Sequence, residues 1–175
     1  MKKILTAKFF NRPTLTVAKE LIGKYLVRKI GKKEMAVQIT EVEAYDGLKD
    51  KASHAFRGQT QRNAPMFSSA GNFYIYFTYG MHWMLNVVTG PKNYPAAVLI
   101  RGTKEVSGPA RLTKFLGIDK SLNDKPTTKK TGLWFEDRGD LIKQSDIKRA
   151  PRIGVNYAGP IWSKKKYRFL IGKTR

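Results

Sequence analysis

Cysteine is absent from all 175 residues of the chain. Its absence removes disulfides, thiolate nucleophiles and every cysteine-ligated zinc or iron–sulfur centre. Histidine is almost as scarce: only His54 and His82 occur, too few to build a transition-metal site from imidazoles. Acids are thin as well, 13 against 34 lysines and arginines, for a formal charge of +21. No apolar run approaches the length of a membrane span. The opening stretch Met1–Lys8 begins like the basic part of an export signal, but its apolar run stops at Lys8, short of the hydrophobic region such a signal needs. No Gly-rich phosphate loop and no internal repeat is found. These absences lead us to expect a soluble, intracellular protein with no membrane contact.

What remains is basic, aromatic and long enough for one sizeable core. Hydrophobic residues make up 41% of the chain, so one domain over 1–175 is the expectation. A charge of +21 does not specify a fold, but it predicts attraction to phosphate polyanions and strong salt dependence of binding. The plainer reading is a basic, soluble surface with no such partner.

The pattern along the chain is strand-rich. Asn11-Arg12-Pro13-Thr14 reads as a helix entrance, with Leu15, Ala18, Leu21 and Ile22 following at helical spacing. Tyr25–Ile30 and Met35–Tyr45 read as a hairpin around the basic turn Gly31-Lys32-Lys33. Residues 46–69 form a polar loop of a length that compact domains reserve for function. Strands are expected over Phe73–Thr78, Met81–Val88, Ala96–Arg101, Leu133–Glu136 and Tyr167–Ile171. A helix follows Gly108 and closes at Gly117, and 121–131 is a surface loop. Few helices, many strands and no βαβ alternation predict an α+β fold on a mainly antiparallel sheet.

Two features stand out against the charge. Glu41 and Glu43 share one strand face with Tyr45 by alternation, about 7 Å apart along the strand. Such a pair suits acid–base work on a sugar, or is two solvated edge glutamates. The second feature is the hairpin Phe73–Met81. Tyr74 and Tyr76 lie on one face, while Phe73, Ile75 and Phe77 face the core. The tyrosine face is either half-buried core or a platform on which bases stack. Tyr79 sits at the tip beside Gly80, where a large ring gains nothing from folding and can wedge between base pairs. Met81 and His82 follow it, placed to brace the same gap.

These residues, taken in order, resemble the alkyladenine (3-methyladenine) DNA glycosylase family, in its bacterial type. The resemblance is carried by Glu41-Val42-Glu43-Ala44-Tyr45, Ser53-His54-Ala55-Phe56-Arg57-Gly58, Arg62-Asn63-Ala64-Pro65-Met66-Phe67 and Tyr74–Met81. Asn86-Val87-Val88, 97–101, 107–112 and the close 151–159 extend it over nearly the whole chain. The resemblance implies a compact domain with a curved, mainly antiparallel sheet, flanking helices and a protruding hairpin. It also implies an enzyme that flips alkylated or deaminated purines from double-stranded DNA and hydrolyses the glycosidic bond, in the cytoplasm, without a cofactor, metal or membrane, and as a monomer by default. By the same resemblance Glu43 is the general base for water and Arg101 lies near that water and the flipped nucleotide's phosphate. Tyr45, His54 and Tyr76 sandwich the base, and Asn86 crowds the exocyclic amine of guanine. Tyr79 intercalates and Arg111 meets the DNA backbone; Met81 and His82, from their place after the hairpin tip, and Arg57 and Arg62, from the long polar loop, complete the expected DNA contacts. Gln59 and Gln61 depart from the family's usual loop residues, as do Trp83, Met84 and Leu85 on the following strand.

The chemistry fits the residue types. A purine alkylated at N3 or N7 is cationic and leaves readily, and aromatic walls attract it by about 0.5–2 kcal/mol per contact. A carboxylate orients water and offsets the charge growing on the sugar. Two rivals stand beside this reading. A non-catalytic RNA- or ribosome-binding protein explains the charge and tyrosines but not Glu43, and a polysaccharide glycosidase explains the glutamates but not +21.

Overall fold

A computed structural model describes residues 2–171; Met1, the first residue of the opening run, lies outside them. The described residues build one open, mainly antiparallel sheet. Its first half is the expected hairpin, β2 (Tyr25–Ile30) and β3 (Lys33–Asp46), with Tyr25 opposite Gln38 and Ile30 opposite Lys33. A two-residue strand, β1 (Lys3–Ile4), joins the outer edge through β7 (Leu133–Asp137). The second half runs from β3 through β6 (Ala96–Thr103) to β5 (His82–Val88) and the edge strand β4 (Phe73–Thr78).

β3 is the organising strand, because its 14 residues run through both halves. β2 covers one of its edges as far as Gln38. From Glu41 to Glu43 that same edge is taken by β9 (Arg168–Ile171), which carries β8 (Ile147–Ala150) outside it. The ladder to β6 is irregular between Ile39 and Val42. Such bulges bend a strand and re-aim its side chains, and this one lies directly before Glu43.

Helices cover the sheet. α1 (Ala7–Phe10) seats Phe10 in the core, and α2 (Thr14–Leu21) follows Pro13 and buries Val17, Ala18 and Leu21 at helical spacing. α3 (Pro109–Phe115) buries Leu112, and Thr113 donates its hydroxyl proton to the Trp83 carbonyl at 2.9 Å, fixing the helix on β5. A short α4 (Gly159–Trp162) precedes β9. The main core joins Phe10, Leu26, Val42, Phe73, Val98, Ile100, Phe135 and Phe169. Two smaller clusters sit apart from it, one under Tyr74 and Tyr76 and one under Tyr45. The candidate site opens between them.

The sheet, the hairpins and both main helices lie where the sequence places them. Three departures have physical causes. β1 and β8 go unpredicted because neither alternates apolar with polar; Lys148-Arg149 is a strand only through its pairing with β9. Residues 46–69 are less open than a polar loop implies, since successive turns and a 3-10 helix at Ala64–Phe67 fold them. Phe77, assigned to the core by alternation, is exposed, because β4 outruns the core there and Phe77 stacks on Trp83 at 4.6 Å between centroids. No helix among the described residues is long and apolar enough to cross a membrane.

Candidate active site

The cleft holds about 540 Å³ and draws its lining from four strands and two loops. β3 supplies Glu43 and Tyr45, β4 supplies Tyr74 and Tyr76, β5 supplies Met84 and Asn86, and β6 supplies Leu99 and Arg101. The loop after β3 adds Ser53, His54 and Arg62, and the segment before α4 adds Ile153, Gly154, Val155 and Tyr157.

Glu43 is completely buried, at 0% exposure. Its Oε2 accepts the Tyr45 hydroxyl at 2.8 Å and its Oε1 accepts the backbone N–H of Ile153 at 2.7 Å. Nε of Arg101 stands 3.5 Å from the same Oε1. A carboxylate offers about four lone-pair positions, so these three partners leave a lone pair of Glu43 without a donor. Burial pushes the Glu43 carboxyl above its ordinary range, and Arg101, the Ile153 amide and the Tyr45 hydroxyl each pull it back. Tyr45 is raised well above the ordinary phenol by burial and then by Glu43. Its hydroxyl therefore stays protonated and serves as a fixed donor to the carboxylate.

Glu41 points to different work. Its Oε1 accepts Arg101 Nε at 3.3 Å and Arg168 Nη1 at 2.9 Å. It anchors two arginines instead of forming a second acid–base member, and it does not line the cleft. Glu43 is the carboxylate that does.

The aromatic walls are not three parallel plates. His54 and Tyr76 meet edge to face, with centroids 4.6 Å apart and planes at 78°. No ring fits between them, so His54 and Tyr76 together form one wall of the cleft, and Tyr45 lines it separately. His54 Nδ1 is 2.9 Å from the Tyr74 hydroxyl. His54 is exposed at the cleft mouth, but its ring is crowded by Tyr74 and Tyr76, and that desolvation, reinforced by Arg62, pushes the imidazole down to about 4, so it is neutral near pH 7. Burial raises Tyr76 to about 12, with Glu43 adding to the shift. Asn86 is buried and its Nδ2 donates to the carbonyls of Tyr74, at 2.9 Å, and Met84, at 3.4 Å. That fixes the amide and leaves its oxygen without a donor among the described residues.

The remaining expected residues are spread around the mouth. Tyr79 is 81% exposed and has φ 52°, with Gly80 at φ 65°. Two positive φ values in succession, closed by Met81 N–H to the Thr78 carbonyl at 3.2 Å, make a type I′ turn. Met81 is 65% exposed, and His82 pairs opposite Thr78 at the head of β5. Arg62 lines the cleft, its guanidinium 5.3 Å from the Tyr76 centroid and its Nη2 donating to the Phe77 carbonyl at 3.1 Å. Arg57 and Arg111 lie outside the cleft and exposed, one in the loop and one on α3.

Two contributors have no counterpart among the expected residues. Ile153 acts through its backbone N–H, which no side-chain pattern announces. Tyr157 is 69% exposed at the mouth and donates to the Ala52 carbonyl at 2.9 Å; a tyrosine in Asn156-Tyr157-Ala158-Gly159 was the available cue. A larger groove, about 760 Å³, lies between the N-terminal segment and the stretch after β7. Its acids are already paired: Glu20 with Arg12 and Asp137 with Lys24 inside the groove, while Asp140 accepts the Tyr25 hydroxyl. It holds no carboxylate set among aromatic rings.

Fold and cleft together define an α+β protein with one buried carboxylate at the base of a tyrosine-walled cleft, an arrangement suited to hydrolysis. The family model described as methylpurine-DNA glycosylase (MPG) matches residues 8–107 and 103–175. The chain belongs to the methylpurine-DNA glycosylase family and is an enzyme, a hydrolase of the DNA glycosylase class. It is 40% identical to a protein of Methanocella arvoryzae, covering 89% of this chain and 86% of that one. It is 41% identical to a protein of Borrelia garinii, with 93% of each covered, and 38% identical to one of Psychrobacter cryohalolentis, with 91% and 88% covered. All three bear the name "Putative 3-methyladenine DNA glycosylase".

Proposed function

We propose that this glycosylase acts as a monomer on duplex DNA, turns an alkylated or deaminated purine out of the stack, and hydrolyses its N-glycosidic bond with water activated by Glu43. The observation that carries the reading is Glu43 itself. It is a fully buried carboxylate held by two donors at the floor of an aromatic cleft, with an exposed tyrosine on a strained turn at the rim.

The steps follow from these groups. Tyr79 fills the space left by the extruded nucleotide, offsetting part of the few kcal/mol that unstacking costs. The base stacks against Tyr45, with His54 and Tyr76 opposite, and Asn86 meets its edge. Glu43 holds water against C1′. As the oxygen attacks, the water proton passes to the carboxylate, the C1′–N bond breaks and its electron pair leaves with the purine. A cationic alkylated purine departs neutral; a neutral one such as hypoxanthine must gain a proton or leave as an anion. The raised Glu43 carboxyl is the stronger base for this role, and general-base action is worth about 10²–10⁴-fold. More comes from the fixed negative charge of Glu43 facing the developing oxocarbenium ion, with Arg101 and Tyr45 holding that carboxylate in place.

The test uses duplex oligonucleotides carrying hypoxanthine, 1,N6-ethenoadenine or 7-methylguanine. Alkali after incubation should break the strand at the lesion, and Glu43→Gln should bind the duplex without breaking it. Base release by that variant would remove Glu43 from the mechanism.

A further inference from the structure

Asp50 and Arg152 form an ion pair in which both side chains are at 0% exposure. Nη2 of Arg152 donates to Asp50 Oδ1 at 2.8 Å, and Nη1 donates both to Asp50 Oδ2 and, at 2.9 Å, to the Ala44 carbonyl. The guanidinium lies 4.8 Å from the Tyr45 centroid and 5.2 Å from that of Tyr167. Its Nε is buried without an acceptor among the described residues. Neither residue lines the cleft.

A buried pair with an unsatisfied N–H is a poor device for stability alone, since apolar residues of similar volume serve as well or better. What this pair provides is register between two loops. Asp50 accepts the amides of Asp46, at 3.1 Å, and Ala52, at 3.0 Å, and so shapes the turn that delivers His54. Arg152 is the residue before Ile153, whose amide grips Glu43 at 2.7 Å. The Tyr157 hydroxyl ties the same two loops a second time, at the Ala52 carbonyl. Arg152 also backs Tyr45, the other donor to Glu43.

We propose that Asp50 and Arg152 are positioning residues for base release: their pair sets the loop carrying His54 against the loop carrying Ile153, and through the Ile153 amide holds the Glu43 carboxylate in its working orientation. The inference rests on Glu43 being the base and extends that reading to two residues that touch neither DNA nor water. The groups facing Glu43 are Arg101 from β6, Tyr45 on its own strand, Tyr76 from β4, and Arg152 and Tyr157 from the C-terminal segment. Loosening the Ile153 amide subtracts a donor to the carboxylate while the burial remains, so its titration moves upward; Arg152→Met adds to that shift by removing a charge that holds Glu43 down, whereas Arg152→Lys keeps the charge and isolates the share of the amide.

Single-turnover release of hypoxanthine from a duplex oligonucleotide, followed across pH, tests this. Asp50→Asn with Arg152→Met leaves no buried unpaired charge, and the introduced amide oxygen still accepts the Ala52 N–H while the Asp46 N–H loses its acceptor. The double variant should bind the lesion duplex as the parent does, release base about 10²-fold more slowly, as a misplaced catalytic group would, and show an acid limb shifted to higher pH. Arg152→Lys keeps the buried charge but loses the fork; it should show the same shift at smaller amplitude, and it carries the test if the double variant does not fold. Parental rate with an unmoved limb overturns the proposal. So does a slower rate with an unmoved limb, because general loosening gives that result. Glu43→Gln run alongside separates the two readings: its activity would sink the base assignment, whereas its silence beside a fully active double variant sinks only the positioning role.

Discussion

Ile153 donates its backbone N–H to Oε1 of Glu43 at 2.7 Å, from a loop 110 residues further along the chain. A peptide N–H cannot titrate, so the acid is held from that side at every pH, while Tyr45 and Arg101 hold it from others. Because burial raises the Glu43 carboxyl, its contribution to stability is present below the unfolded pKa and is lost as pH rises through the folded one. Glu43→Gln should therefore be at least as stable as the parent near pH 7, with the advantage shrinking as pH falls through the folded pKa, while excision disappears. Urea unfolding at several pH values checks the first statement, and a parent that is the more stable near pH 7 would contradict it.

His54 gives the opposite slope. Its imidazole is pushed down to about 4, below the unfolded value near 6.5, so the unfolded chain binds the extra proton first. Stability should rise with pH between about 4 and 6.5 in the parent and rise less in His54→Gln. Melting temperatures of the two proteins, compared across that window, decide it. Parallel curves would mean that the imidazole is not desolvated.

Tyr79 occupies a backbone conformation that Asn-Gly pairs favour and aromatic residues avoid. Tyr79→Asn should stabilise the fold by about 1 kcal/mol and weaken capture of a lesion-bearing duplex about tenfold. Chemical denaturation and a binding titration read the two effects separately. A loss of stability on substitution would show that the ring is braced by the fold and is not offered to DNA.

Asn86 spends its amide hydrogens on the Tyr74 and Met84 carbonyls. Asn86→Ala removes these side-chain hydrogen bonds, about 0.5–1.5 kcal/mol each, while the β4–β5 ladder keeps the Tyr74 carbonyl paired, and it opens the floor to a bulkier purine edge. Release of undamaged guanine, undetectable with the parent, should become measurable by counting free base. Equal selectivity in both proteins would take Asn86 out of lesion recognition.

Arg57 and Arg111 are exposed and outside the cleft. If each meets a phosphate, alanine at either site lowers the slope of log affinity against log salt by about 1, with little change in excision at saturation. An unmoved slope would assign that arginine to the general basic surface.

Much of this was legible locally. Alternation alone places Glu43 and Tyr45 together on β3, and Tyr79-Gly80 between two aromatic strands marks its own turn. Local pattern fails where tertiary pairing decides. Lys148-Arg149 carries no strand signature until β9 lies beside it, and Phe77 obeys alternation yet runs past the end of the core. The partner of Asp50 lies 102 residues away, and the Ile153 donor has no side-chain identity at all. Glu41 and Glu43 look equivalent in the sequence; Arg168 on the last strand claims the first, and the Ile153 amide and the Tyr45 hydroxyl claim the second.

That last strand sets a condition on synthesis. β9 closes the edge of β3 at Glu41–Glu43, and the segment before it delivers both Ile153 and Arg152. A ribosome that stalls before residue 151 therefore releases a polypeptide with the tyrosines and the acid but without their fastening.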